Sequence, residues 1–294
     1  MPNHYAIYDI SFPNLGISFE AVPRVLFSPF GFDIFMYAFC IVLGIIAAYF
    51  LAIWWAKKSG QKPEDYSDLL LIGVPLAIVG LRLYYLIFNW NRYSGQNFLH
   101  VFFQFRDGGL AIYGGIIGAT LAAFIVSRRK KIPFTTLADT AAPSLPLGQA
   151  IGRFGNFFNR EAFGGHTENL FAMQIRADQT FAPITQEIRE NAIHAQGIEF
   201  FTVHPTFLYE SFFNLILMAA LLIYRPHKRF SGEILLLYFA GYGVIRFFIE
   251  ALRTDQMMFA GLPLNRLMAA IFVIVSIGLL ILGHLKKFPT RRNI

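Results

Sequence analysis

The sequence predicts an all-α membrane protein with seven transmembrane helices, its N-terminus outside and a small extracytoplasmic head between helices 4 and 5. Three observations predict this class. Seven apolar runs recur along the 294 residues, at 32–56, 69–90, 110–127, 135–151, 206–224, 233–252 and 264–285, and about 20 apolar residues suffice to cross a bilayer. Lysine and arginine gather at every second junction between runs. A hydrophilic stretch of about fifty residues, 152–205, follows the fourth run, far longer than an ordinary connection.

Composition supports the class. The chain is 55% hydrophobic and 15% charged, with a mean hydropathy of +0.49, which excludes an ordinary soluble domain. A net charge of +7 first suggests nucleic acid. The cations cluster at the ends of apolar runs, however, as membrane orientation and anionic-lipid contact require, so membrane lipids and no nucleic acid are the expected partners. The single cysteine, Cys40, excludes a disulfide or thiolate cage. It lies within the first run and reads as packing.

Lys57, Lys58 and Lys62 follow the first run, and Arg128, Arg129, Lys130 and Lys131 the third. Arg225, Lys228 and Arg229 follow the fifth, and Lys286, Lys287, Arg291 and Arg292 the seventh. These junctions face the cytoplasm by the positive-inside rule. The resulting plan is an extracytoplasmic arm at 1–31, a seven-helix transmembrane domain at 32–285 with the head inserted at about 160–205, and a basic cytoplasmic tail at 286–294. The arm holds four prolines and no basic segment leading into a short apolar core, so no cleavable signal peptide is expected. It reads as a surface-lying or disordered segment. Pro143 and Pro146 interrupt the fourth run, which suits a kinked span lining a cavity.

The intramembrane polar residues converge in depth. Arg246 lies roughly 20 Å along the sixth run from its cytoplasmic end at helical rise, within the outer third of a core about 30 Å thick. Tyr242, Arg246, Glu250 and Arg253 fall on one helical stripe. Arg82 has a similar depth, with Tyr85 nearby. Arg153 ends the fourth run, Asp107-Gly108-Gly109 begins the third, and His204, Tyr209 and Glu210 open the fifth. Each alone reads as well as a snorkelling residue; together they point to a substrate site at the outer headgroup level. Arginines there suit a lipid phosphate, and Glu210 and Glu250 can orient them or move protons. Tyr113 sits in Tyr113-Gly114-Gly115, and with Gly118 the stretch also reads G-x-x-x-G, a helix-packing pattern. No hydrolase elbow, metal-binding spacing or Walker A sequence occurs. His4 and Asp9 fit H-x-x-x-x-D by chance, and His166 and His194 read as solvated loop residues.

One stretch is specific. Gly152-Arg153-Phe154-Gly155-Asn156-Phe157-Phe158-Asn159-Arg160-Glu161 resembles the signature G-R-x-G-N-F-x-N-x-E of the bacterial phosphatidylglycerol–prolipoprotein diacylglyceryl transferases. Gly80-Leu81-Arg82, the segments 107–115 and 204–210, and Gly241-Tyr242 through Glu250 resemble further stretches of that family, in family order. The resemblance implies a multi-pass enzyme of the bacterial inner (cytoplasmic) membrane, acting as a monomer without metal or cofactor. It moves the diacylglyceryl group of phosphatidylglycerol to the lipobox cysteine that follows a prolipoprotein signal peptide, leaving a thioether and releasing glycerol phosphate.

By match to the family, Arg153, Arg246, Tyr113 and Glu250 are the candidate catalytic residues. Arg82, Asn156, Glu161, Gly164, His204 and Tyr242 are the candidates for binding substrate. Two positions depart from the pattern. Tyr113 stands where many members carry a histidine proposed as base, and a phenol of pKa near ~10 is a poor base at neutral pH. Asp33 falls where the family often has a tyrosine. On the residues alone, a transporter or flippase with a polar cavity is the alternative, and a non-catalytic lipid-binding scaffold is a third reading.

Overall fold

The computed structural model describes residues 8–104, 108–259 and 261–285. They form two compact units, one drawn from Met1–Ala48 and Ala142–Pro289, the other from Tyr49–Ala141. Among the described residues, five helices are long and apolar enough to cross a membrane: α1 (Met36–Lys58), α2 (Pro63–Asn89), α8 (Thr206–Tyr224), α9 (Glu233–Leu252) and α10 (Leu264–Leu285).

The other two expected spans differ for sequence reasons. After the short helix α3 (Phe98–Phe103), the third run forms α4 (Ile112–Lys130), which ends in Arg128, Arg129 and Lys130. The stretch before that basic end, 112–127, covers only about 24 Å at helical rise. The fourth run is two helices, α5 (Phe134–Ala141) and α6 (Ser144–Asn159), broken where Pro143 precedes α6 because proline cannot donate to the preceding turn.

The first unit also contains a sheet, so the fold is mostly helical, with a sheet component beside the expected apolar helices. Strands β1 (Ile10–Phe12), β2 (Ile17–Phe19), β5 (Met173–Arg176), β6 (Ile193–Ala195) and β7 (Ile198–Val203) pair in the order β2-β1-β5-β7-β6. Every pairing is antiparallel, with Ile10 opposite Ile175 and Met173 opposite Val203. Two short ladders complete the strands: β3 (Val25–Phe27) with β4 (Ile34–Phe35), and β8 (Met258–Phe259) with β9 (Leu262–Pro263). Gln196 and Gly197, both at positive φ, make the two-residue turn joining β6 to β7, the geometry a tight hairpin needs.

One face of the sheet buries Ile10, Phe12, Phe163, Met173, Ile175, Phe201 and Val203 with Ile188 of the short helix α7 (Gln186–Glu190). Residues 10–19, read from sequence as part of a surface arm, thus supply two strands. Asp9 anchors them. Its carboxylate accepts from the Val22 N–H (2.9 Å), Gln179 (2.9 Å) and the Arg160 guanidinium (3.1 Å).

Close helix packing follows small residues. In the first unit α1 meets α6 at Gly44, where an added Cβ would lie 2.7 Å from the Gly148 carbonyl oxygen, while α8 packs on α6 and α9, and α10 on α9. Cys40 is buried there, as expected of a packing residue. In the second unit α4 packs on α2, and a side chain at Gly114 or Gly118 would run into the backbone of α2. The G-x-x-x-G stretch is therefore a packing seam. That unit centres on Ala52, Ala56, Tyr66, Val126 and Leu137, with Lys130 bridging Asp65 (3.6 Å) and Asp68.

Candidate active site

Helix α6 presents Gln149, Arg153 and Asn156 at spacings of four and three, hence on one face. The helix stops at Arg160, whose φ of 52° is left-handed, and the turn is closed by the Glu161 N–H donating to the Asn156 carbonyl (3.1 Å). That turn brings Glu161 back over α6. Its Oε1 accepts from Asn156 (3.0 Å) and Asn159 (3.3 Å), and the Asn156 Oδ1 accepts from Arg153 (3.3 Å). The motif's asparagines and glutamate therefore form a relay ending on a guanidinium.

Glu210, one turn into α8 and 1% exposed, is the hub. It lies 2.8 Å from Arg153 Nη2 and 3.3 Å from Arg246 Nη1 of α9, and the Tyr242 hydroxyl donates to it at 3.4 Å. Arg246 also pairs with Glu250 one turn along α9 (2.6 Å), and Asn265 of α10 donates to Glu250 (2.9 Å). Tyr238 stacks on Tyr242 with ring centroids 5.9 Å apart and accepts from Gln149 (3.0 Å). The Tyr37 ring of α1 lies on Gly155, where a Cβ would come within 2.7 Å of it. The two arginine side chains are 21% and 15% exposed, whereas the carboxylates are 2% and 1%. The anions are thus interior supports and the cations are the reachable groups. A guanidinium carries five donors in a fixed fork, so carboxylates on one edge leave another edge for an oxyanion.

Beyond the end of α9, Gly164 packs against both His204 and Leu252: an added Cβ would lie 2.8 Å from the His204 Cβ and from the Leu252 carbonyl oxygen. The Gly164 N–H donates to the His204 carbonyl (2.9 Å). The His204 ring lies 3.4 Å from both the Tyr209 hydroxyl and the Asn169 amide. Burial, then the neighbouring His166, holds its imidazole below the ordinary range. Arg253 grips Asp255 with two bonds of 2.8 and 2.7 Å. Burial raises the Asp255 carboxyl, but those bonds outweigh it and leave the group below its ordinary value. His166, expected as a solvated loop residue, is instead partly buried, its Nδ1 3.1 Å from the Thr202 carbonyl. His194 is exposed, as expected.

Residues 24–282 match the family model for prolipoprotein diacylglyceryl transferase. The chain belongs to the prolipoprotein diacylglyceryl transferase family. It is 39% identical over 266 residues, 90% of this chain and 98% of the relative, to a phosphatidylglycerol–prolipoprotein diacylglyceryl transferase of Clostridium novyi (strain NT). The corresponding values for one from Finegoldia magna are 38% over 272 residues, 92% and 97%. For one from Streptococcus sanguinis they are 39% over 257 residues, 86% and 92%. Membership places the chain among transferases of a mostly helical, multi-pass membrane class, and the transporter reading is not favoured.

Against the family motifs, eight of the ten candidate residues, Arg153, Asn156, Glu161, Gly164, His204, Tyr242, Arg246 and Glu250, lie in the first unit. Arg82 and Tyr113 belong to the second. Arg82 is 1% exposed and donates to four backbone carbonyls, those of Val101 (2.5 Å), Phe102 (3.2 Å), Gly108 (2.8 Å) and Gly109 (2.9 Å). The Tyr113 ring lies 6.2 Å from that of Tyr84. Asp107, His4 and the basic residues Lys286, Lys287, Arg291 and Arg292 lie outside the described residues.

Sequence reasoning within the family frame missed Tyr37, Gln149 and Asn265. Asp33 accepts from the Ser28 hydroxyl (2.6 Å) near the start of the chain, and the tyrosine of the first span that reaches the motif is Tyr37, four residues on. The signal was present, since Tyr37 opens an otherwise apolar run. Gln149 and Asn265 carried no such signal, because an amide near a span's end is equally at home in water.

Proposed function

We infer that this chain transfers the diacylglyceryl group of phosphatidylglycerol to the thiol of a prolipoprotein's lipobox cysteine. A C–S bond forms, the C–O bond to the phosphate breaks, the thiol proton is released and glycerol phosphate departs. The observation that carries this reading is the sharing of Glu210 by Arg153 and Arg246. It fixes two cations side by side, where a departing phosphate ester gathers negative charge. Preorganised cations stabilise such charge without reorganising as it develops.

Arg153 and Arg246 hold the phosphate and leaving group, and Glu250 and Glu210 aim them. Asn156 and Glu161 fix the Arg153 side, Tyr242 closes the wall between the arginines, and Gly164 and His204 shape the approach. Arg82 holds the turn at Gly108-Gly109. Tyr113 positions lipid rather than taking the proton. A thiol of pKa near ~8.5 beside two guanidiniums is partly ionised already, so water suffices as acceptor. The acceptor cysteine belongs to the substrate, in keeping with the burial of Cys40. The donor reaches the site from the outer leaflet of the bacterial inner membrane. Seven crossings follow, with α4 and the α5–α6 pair completing the five apolar helices and the N-terminus outside. The chain acts as a monomer.

The test is purified protein with phosphatidylglycerol and a lipobox peptide, followed by mass spectrometry. A diacylglyceryl mass gain on the peptide is expected, abolished in Arg246→Ala. Peptide binding with no gain in the wild type overturns the reading.

A further inference from the structure

A cleft of about 530 Å³ opens in the first unit beyond the C-terminal end of α9. That size falls in the range of ligand clefts, about 300–1,000 Å³. Its polar wall includes His166, Thr185, Glu187, Thr254 and Gln256, and Leu252 and Met258 supply an apolar strip. Of the candidate site residues His204 lines it; the residues of the arginine–carboxylate cluster do not, but Ala251 and Leu252, which follow Glu250 at the end of α9, do. Arg246 lies six residues before Leu252, the last residue of α9, about 9 Å along the helix axis, and Arg253 follows in extended conformation.

Three ligand chemistries compete for this cleft. An acyl chain needs an apolar lining throughout, which five polar side chains deny it. A free phosphate needs surplus positive charge, but Arg253 is paired with Asp255 and Glu187 adds an anion to the wall. An extended polypeptide suits a lining of alternating polar and apolar groups, because its backbone needs hydrogen-bond partners while its side chains need small apolar contacts. The reaction supplies such a segment, since the acceptor thiol belongs to a polypeptide that continues away from the membrane.

We propose that this cleft binds the residues that follow the acceptor cysteine, as an extended segment of the substrate protein. The proposal rests on the transferase reading above. An extended chain advances about 3.3 Å per residue, so the third residue past the cysteine reaches the Arg253 end of α9, and the next two or three lie along Thr254, Glu187 and Met258. Thr254 and Glu187 touch the cleft and not the arginine–carboxylate cluster, so filling the cleft there should change peptide affinity and leave the chemical step alone.

The experiment compares two lipobox peptides, one ending at the cysteine and one carrying five further residues, with phosphatidylglycerol as donor. For the wild type, the KM of the long peptide is expected to be about tenfold lower, equivalent to about 1.4 kcal/mol. In Thr254→Trp that advantage disappears, while kcat and the KM of the short peptide hold; Glu187→Trp, which also fills the cleft, is expected to do the same. If both variants keep the long peptide's advantage, or raise both KM values equally, the cleft is not the subsite. A wild type that modifies neither peptide overturns the reaction itself, and the subsite with it.

Discussion

Arg153 of α6 and Arg246 of α9 meet on one carboxylate, with Glu210 2.8 Å from the first and 3.3 Å from the second. Ninety-three residues of sequence separate these arginines, and a third helix supplies the anion. Glu210 is buried, so it interacts with both cations with little solvent screening. Without it the two guanidiniums would repel one another.

Glu210→Gln keeps a hydrogen-bonding group of the same size and removes the charge. It is expected to let the two arginines part and to lower kcat about 10²-fold, the usual cost of misplacing a reacting group by an ångström. Arg153→Ala and Arg246→Ala should each cost about 10²–10³-fold, with the double variant well short of the product. Steady-state rates of peptide mass gain measure all four. A Glu210→Gln rate equal to wild type would show that the shared carboxylate is not what sets the arginines.

Tyr113→Phe should reduce the rate less than Arg153→Ala, because a neutral phenol is a weak base near neutral pH. The comparison requires circular dichroism to establish that both variants fold. A folded Tyr113→Phe with no turnover would make the hydroxyl a chemical participant.

Asp9 lies outside the family-matched segment 24–282, yet it neutralises Arg160, whose side chain is 6% exposed. Asp9→Asn leaves that guanidinium buried without its carboxylate, at a cost of about 3 kcal/mol for a broken buried pair. Arg160 ends α6 immediately before Glu161, so the loss should appear both as a lower Tm in detergent and as a reduced rate. An unchanged Tm would mean that residues 10–19 are not held through this contact.

Stability should fall between pH 7 and pH 5 through His204. Burial and then His166 favour its neutral form in the fold, opposed by the weaker pull of Glu187. The contribution is whole above the ordinary value of 6.5 and is lost as pH drops below it, because the unfolded chain takes up the proton first. Asp255 acts lower. Its folded value lies below the ordinary 3.8, so its contribution survives down to that pH and fails only beneath it. Tm measured across pH 5–7 should slope in the wild type and flatten in His204→Gln; parallel slopes would rule out this histidine as the source.

Local pattern already specified a good deal. Hydropathy fixed α8, α9 and α10 to the residue, since a helix in lipid begins and ends where apolar side chains do. Motif spacing marked Arg153, Asn156, Glu161, Arg246 and Glu250, because helical periodicity and the turn at Arg160 are properties of neighbouring residues. Other features depended on contacts between distant segments. The five-stranded sheet joins Ile10 to Ile175, and no periodicity in either short strand announces a partner 165 residues away. The break between α5 and α6 divides the fourth run between the two units, and that division rests on which distant segments each helix contacts. Tyr37 on Gly155 and Glu210 between two arginines are likewise meetings across helices, which residue types permit and only the folded backbone brings about.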